Sequence, residues 1–323
     1  MPETLSHSDW SSANTSVNAM PETLHVQAGE LSFCVETRGD PAGEPVIFVM
    51  GLGAQMTLWP EALLDQYVRE GFRVIRFDNR DIGLSSHLKD RLEGHPVAVM
   101  ARHRMGLPIA APYTLHDMAD DVCKVMDAFS LTCAHLVGVS MGGMISQLVA
   151  ANRPERVRSA TLIMTSTNSP RLPMPKSKLI WRLAGIGAKG HDEAAVVARS
   201  LDFWKAIQSP GYPPREQEVR DRIVREFRRS YHPAGILRQT RAILATGSLS
   251  SATRRIRVPV SVIHGKADPL VRPVAAEQLG YLMPHARVEM IDGMGHDLPE
   301  PLLSRFAQIG FETMAQQPRQ GNG

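Results

Sequence analysis

The chain has 323 residues, 43% of them hydrophobic and 21% charged, with a formal net charge of +3. These values describe an ordinary globular protein with ample material for a large core, and the near balance of charge argues against a nucleic-acid-binding role. No run reaches the ~18 apolar residues of a transmembrane helix, so stable membrane anchoring is not expected. Three cysteines without framework spacing (Cys34, Cys123 and Cys133) point to free thiols in a reducing, cytoplasmic setting.

Residues 1–23 are polar, carry no Lys or Arg, and read as a disordered extension rather than a targeting leader; Met-Pro-Glu-Thr-Leu occurs at positions 1–5 and again at 20–24. Segments 25–28 and 31–37 alternate about Gly29-Glu30 and predict an antiparallel hairpin. Residues 45–50 are continuously apolar, as in a strand buried on both faces, and end in Gly51-Leu52-Gly53. A helix over 60–70, a strand over 73–78, a helix over 115–129, a strand over 134–139, a helix over 141–151 and a strand over 159–164 follow. Strands alternating with helices predict a mainly parallel sheet with right-handed crossovers. In such sheets ligands bind beyond the carboxyl ends of the strands.

At one of those ends stands Gly138-Val139-Ser140-Met141-Gly142. A serine at an abrupt strand-to-helix turn takes strained backbone angles, and side chains two residues to either side would collide, hence the glycines. The turn lifts the hydroxyl clear and leaves the Met141 N–H at a helix start, where it can bind a developing oxyanion. The motif alone is common, so the remainder of the chain has to decide its meaning.

From Ser166 to Leu249 the pattern changes. Prolines at 170, 173 and 175 precede helical stretches near 176–188, 192–208 and 215–246, which predict a cap inserted over the active edge of the sheet. The segment holds 15 Lys/Arg against 7 Asp/Glu. A solvated arginine-rich face accounts for that imbalance simply; attraction of anionic substrates is the sharper reading.

Strands resume over 258–263 and 286–291. The first runs into Gly265-Lys266-Ala267-Asp268, the second into Asp292-Gly293-Met294-Gly295-His296. Nucleophile, acid and histidine thus occur in the order Ser140, Asp268, His296, all at strand ends on one edge. His296 would take the serine proton, and Asp268 would hold the imidazole tautomer. Asp292 and Asp297 are alternatives to Asp268, but as sequence neighbours of His296 they are poorly placed to orient its ring from behind. His264 reads as a packed loop residue.

Over about residues 25–312 these motifs, with Val49-Met50-Gly51-Leu52-Gly53 and Phe77-Asp78-Asn79-Arg80-Asp81-Ile82-Gly83, resemble the α/β-hydrolase family, specifically its capped esterase-like members of the aclacinomycin methylesterase type. The resemblance implies an eight-stranded sheet, a core of residues 24–165 and 250–315 with a cap over 166–249 and a flexible tail over 316–323, a serine triad, and neither metal nor organic cofactor. It also implies an oxyanion hole from the N–H groups of Leu52 and Met141. Met50 departs from the histidine of many relatives, which removes a side-chain hydrogen bond from the loop. Asp81 stands where many have glycine; residues 78–81 read as a loop supporting the site. Met50, Met56 and Met294 are candidate substrate contacts in a soft acyl pocket. The expected function is hydrolysis of small to medium carboxylic esters or lactones. C–C bond hydrolysis, acyl transfer and perhydrolysis on the same triad are alternatives, and a ligand-binding receptor or silent scaffold is an alternative of another class.

Overall fold

Strands that are apolar at every position need cover on both faces, and the sheet supplies it. A computed structural model describes residues 22–175, 179, 190 and 192–316. Within them eight strands form one sheet in the order β1-β2-β4-β3-β5-β6-β7-β8. These are β1 (Glu22–Ala28), β2 (Leu31–Arg38), β3 (Glu44–Val49), β4 (Phe72–Phe77), β5 (Ala134–Val139), β6 (Val157–Ile163), β7 (Val260–Gly265) and β8 (Arg287–Ile291). The β1–β2 and β2–β4 pairs are antiparallel; every pair from β4 to β8 is parallel.

Side-chain alternation sends each central strand into two cores. Ile47 and Val49 of β3, Leu136 of β5 and Val262 of β7 join one cluster, covered by α3 (Leu115–Ala128) and α4 (Met141–Asn152). Val46 and Phe48, Val137 and Val139, and Ile263 join the other, covered by α1 (Glu61–Arg69) and the C-terminal helix (Leu303–Met314). The helix starts follow local chemistry: Thr114 and Asp117 form a reciprocal capping box at α3.

Several sequence expectations are amended. Most of the disordered extension and tail, and the helix over 176–188 except Leu179, lie outside the described residues. Strand β1 begins at Glu22, so the last two residues of the expected extension belong to the sheet. Helix α2 (Pro96–Arg104) is not foreshadowed by any apolar stripe; it starts with a proline in its first turn and the His95 ring accepting from Val97 N–H. Between β6 and β7 lie α5 (Glu193–Ile207), α6 (Glu216–Arg229), α7 (Pro233–Thr246) and the short α8 (Ser250–Thr253). The single helix expected over 215–246 is therefore two. Pro233 cannot continue a helix and forces His232 to φ −132°, ψ 73°, so the chain turns at 230–232. Helices α9 (Val274–Leu282) and α10 (Leu303–Met314) complete the set. Among the described residues no helix is long and apolar enough to cross a membrane.

The strand order reverses around β3, which has β4 on one side and β5 on the other. The crevice of a doubly wound sheet opens at such a point, outside the carboxyl ends of the two diverging strands. Those ends carry Gly51-Leu52-Gly53 and Ser140.

Candidate active site

Ser140 leaves β5 at φ 54°, ψ −117°, a conformation that L-residues avoid and that must be held by its surroundings. Its N–H donates to Ile163 O at 2.9 Å, and its carbonyl accepts from Thr165 Oγ1 at 2.7 Å and from Gly143 N at 3.0 Å. The flanking glycines are required by contact. A Cβ on Gly142 would run into the carbonyls of Val49 and Met50, and one on Gly138 into Gly142 O and Ser146 Oγ. Gly142→Ala is therefore expected to destabilise by about 1–3 kcal/mol, read as a lower urea midpoint by circular dichroism, because only backbone can yield there.

His296 Nε2 lies 3.1 Å from Ser140 Oγ, and His296 Nδ1 lies 2.7 Å from Asp268 Oδ2. The other oxygen of Asp268 accepts from the N–H groups of Leu270 and Val271, both at 2.8 Å, so the carboxylate is fixed from its own loop. An Nδ1–H donated to Asp268 leaves Nε2 as an acceptor facing the serine hydroxyl. Asp292 is exposed and pairs with Lys266. Asp297 points elsewhere, accepting from the N–H and hydroxyl of Ser209. His264 is the penultimate residue of β7 rather than a loop residue; it is fully buried, and its Nε2 bonds Val271 O at 2.8 Å.

The histidine loop is stapled from outside by residues the sequence did not single out. His296 N–H donates to Ile207 O at 2.7 Å, and Gly295 N–H to Ser209 Oγ at 2.8 Å. The end of α5 thus sets the height of the imidazole. The only sequence trace of this was Gly295, where a Cβ would strike Ile207 O and Gln208.

Residues 51–53 press against the serine turn: a Cβ on Gly51 would sit 3.3 Å from Ser140 Cβ. The N–H groups of Leu52 and Met141 donate no hydrogen bond among the described residues, and both residues line the cavity above Ser140. With methionine at position 50, the loop is held by other means. Asn79 Nδ2 donates to Met50 O at 2.9 Å, and Gly53 N–H donates to Gln239 Oε1 at 2.9 Å. Gln239 Nε2 in turn reaches Arg80 O at 2.8 Å. Asp78 accepts from Met56 N–H and Leu84 N–H and pairs with Arg229 at 2.7 Å. Asp81, at φ 71°, accepts from Arg238, Tyr113 Oη and Leu88 N–H. The loop 78–81 therefore knits residues 50–56 to α6 and α7.

The family model described as the alpha/beta hydrolase fold matches residues 44–186. The chain has the α/β-hydrolase fold. It is 27% identical to a rhodomycin D methylesterase from Streptomyces peucetius over 87% of this chain and 95% of that protein. It is 22% identical to 3-oxoadipate enol-lactonase 2 of Acinetobacter baylyi over 84% and 88% of the two chains. Among solved structures, an enol-lactonase from Burkholderia xenovorans superposes with a TM-score of 0.69 at 20% identity, over 90% of this chain and all of that one.

A cavity of about 370 Å3 opens onto Ser140 and His296. Its walls are mainly apolar and unusually rich in methionine: Met50, Met100, Met141, Met144, Met164 and Met174. Of the three methionines expected to meet substrate, only Met50 lines the cavity. Met56 and Met294 are almost wholly buried in the protein and do not line the cavity. Met294 belongs to the core cluster beneath β7, and the Met56 backbone is tied down by Asp78. None of the cysteines stands in the cavity. Burial and the nearby Asp78 carboxylate push the Cys34 thiol up to about 11, and burial raises Cys123, so neither is an activated nucleophile.

Proposed function

We propose that the protein is a serine hydrolase of small to medium carboxylic esters or lactones, working through an acyl-enzyme on Ser140. One observation carries the reading: an unbroken relay from Asp268 through His296 to Ser140, at 2.7 and 3.1 Å, opens into an apolar cavity at the strand-order reversal. The methylesterase and enol-lactonase names among its relatives favour carboxylic ester chemistry. The same reading takes residues 24–165 and 250–315 as the hydrolase core and 166–249 as its cap.

Ser140 Oγ attacks the carbonyl carbon as His296 Nε2 takes its proton, and Asp268 keeps Nδ1–H in place and stabilises the imidazolium. The carbonyl oxygen becomes an oxyanion and accepts from the N–H groups of Leu52 and Met141. His296 then protonates the leaving alcohol, or the ring-opened alkoxide of a lactone. Water, deprotonated by the same imidazole, releases the acid. Apolar walls keep the charge relay in low dielectric, where each of these hydrogen bonds counts for more.

A fluorophosphonate probe is expected to label the native protein once, on Ser140, with p-nitrophenyl ester hydrolysis lost in step. Mass spectrometry of the labelled peptide checks this. An unlabelled serine together with no turnover across a panel of acyl lengths would favour the receptor or scaffold instead.

A further inference from the structure

Three buried arginines are ion-paired, Arg76 with Glu36, Arg80 with Asp121 and Arg238 with Asp81, and buried Arg241 donates to the carbonyls of Glu93 and Ala110. Half-buried Arg222 of α6 has neither kind of partner among the described residues. It lines the same cavity as Ser140 and His296, yet it makes no ion pair among the described residues, and its Nε is buried without a hydrogen-bond partner. Of the other arginines of α6, Arg220 faces Glu216, Arg228 Glu193 and Arg229 Asp78, while Arg225, like Arg222, makes no ion pair among the described residues.

The guanidinium lies over the Trp204 ring, with Cζ 4.5 Å from the ring centroid. That cation–π contact positions the group and uses none of its N–H donors. Two carboxylates lie near it: Asp297 receives Ser209 on Oδ1, and Glu226 receives Thr57 Oγ1 on Oε1 at 2.5 Å while its Oε2 is buried without a hydrogen-bond partner. Burial raises both acids and works against the charge on Arg222, which Asp297 and Glu226 favour without bonding to it. An unpaired, partly desolvated guanidinium is costly unless something of opposite charge completes it. Two further arginines of the cavity, Arg104 and Arg272, are exposed and add positive potential on the way in.

We propose that Arg222 binds a carboxylate of the substrate, so that the substrates are esters or lactones bearing a second, ionised carboxyl group. The inference rests on the hydrolase reading above and narrows it. A bidentate guanidinium–carboxylate pair in an apolar cavity binds strongly and fixes the far end of the molecule while the ester group sits over Ser140.

The test is a panel of monomethyl esters of the straight-chain dicarboxylic acids from succinate to suberate, each beside its neutral primary-amide counterpart. Methanol release is followed for the native protein, Arg222→Gln and Arg222→Lys. Native protein is expected to favour the carboxylate member of at least one pair, and Arg222→Gln to lower its kcat/KM about ten- to a hundredfold while changing the amide less than about threefold. Arg222→Lys should recover part of the loss, and unchanged amide turnover reports an intact fold. In parallel, binding of the free dicarboxylates to Ser140→Ala and to Ser140→Ala/Arg222→Gln is measured by calorimetry. Hydrolysis with equal losses for acid and amide, and dicarboxylate binding indifferent to position 222, would overturn the proposal while leaving the hydrolase reading intact. Arg222-dependent binding without any hydrolysis would sustain the anion site and overturn the hydrolase reading.

Discussion

Ser140→Ala is expected to lower kcat for p-nitrophenyl esters by on the order of 10^4- to 10^6-fold, because nucleophile and base act as a unit and neither retains much value alone. The residual rate would come from the oxyanion donors and from binding. Stability should hardly move. Among the described residues the Ser140 hydroxyl hydrogen-bonds only to His296 Nε2, at 3.1 Å, and alanine at φ 54° is no more strained than serine. A thermal midpoint within about 2 °C of the native value is therefore expected. Undiminished turnover by a homogeneous, folded variant would remove Ser140 from the chemistry.

Asp81→Ala is expected to give the largest loss of stability, about 3–5 kcal/mol, read as a lower urea midpoint. Asp81 is fully buried and Arg238 is 5% exposed; their two hydrogen bonds measure 2.7 and 2.9 Å. Removing the carboxylate strands the guanidinium and also strips an acceptor from Tyr113 Oη, 2.7 Å away, and from Leu88 N–H. Adding Arg238→Met should restore much of the stability, since the cost lies in the uncompensated charge rather than in the lost pair. If Asp81→Ala alone costs less than about 1 kcal/mol, the network contributes no more than a surface ion pair. Asp81→Gly relieves the positive φ yet still leaves Arg238 unpaired, so it should fall between the native protein and the alanine variant.

The sequence spoke most clearly where burial dictates composition. Strands β3, β5 and β7 are covered on both faces, so they carry unbroken apolar runs, and their ends could be placed to within about two residues. Ser140 and Asp268 follow β5 and β7 and were legible for the same reason, His296 was legible from its glycine-flanked loop after β8, and the structure brings the three side chains together. Side-chain direction was not legible. Met56 and Met294 flank the motifs in sequence but turn into the protein, whereas Met100 and Met144 reach the cavity from helices. Helix α2 left no trace because it has no apolar stripe, and the 230–232 break was hidden by helix-compatible residues on either side of one proline. Contacts such as Ile207 O to His296 N–H, between distant backbone groups, leave almost nothing in composition.

Gln239, fully buried on α7, joins Gly53 N–H to Arg80 O through a single amide. A helix tied in this way cannot swing outward like a hinged door without dragging the neighbour of Leu52 along with it. An outward swing of α7 would have to break those two hydrogen bonds or carry Gly53 with it, so on the proposed mechanism entry through other walls would leave the Leu52 N–H in place.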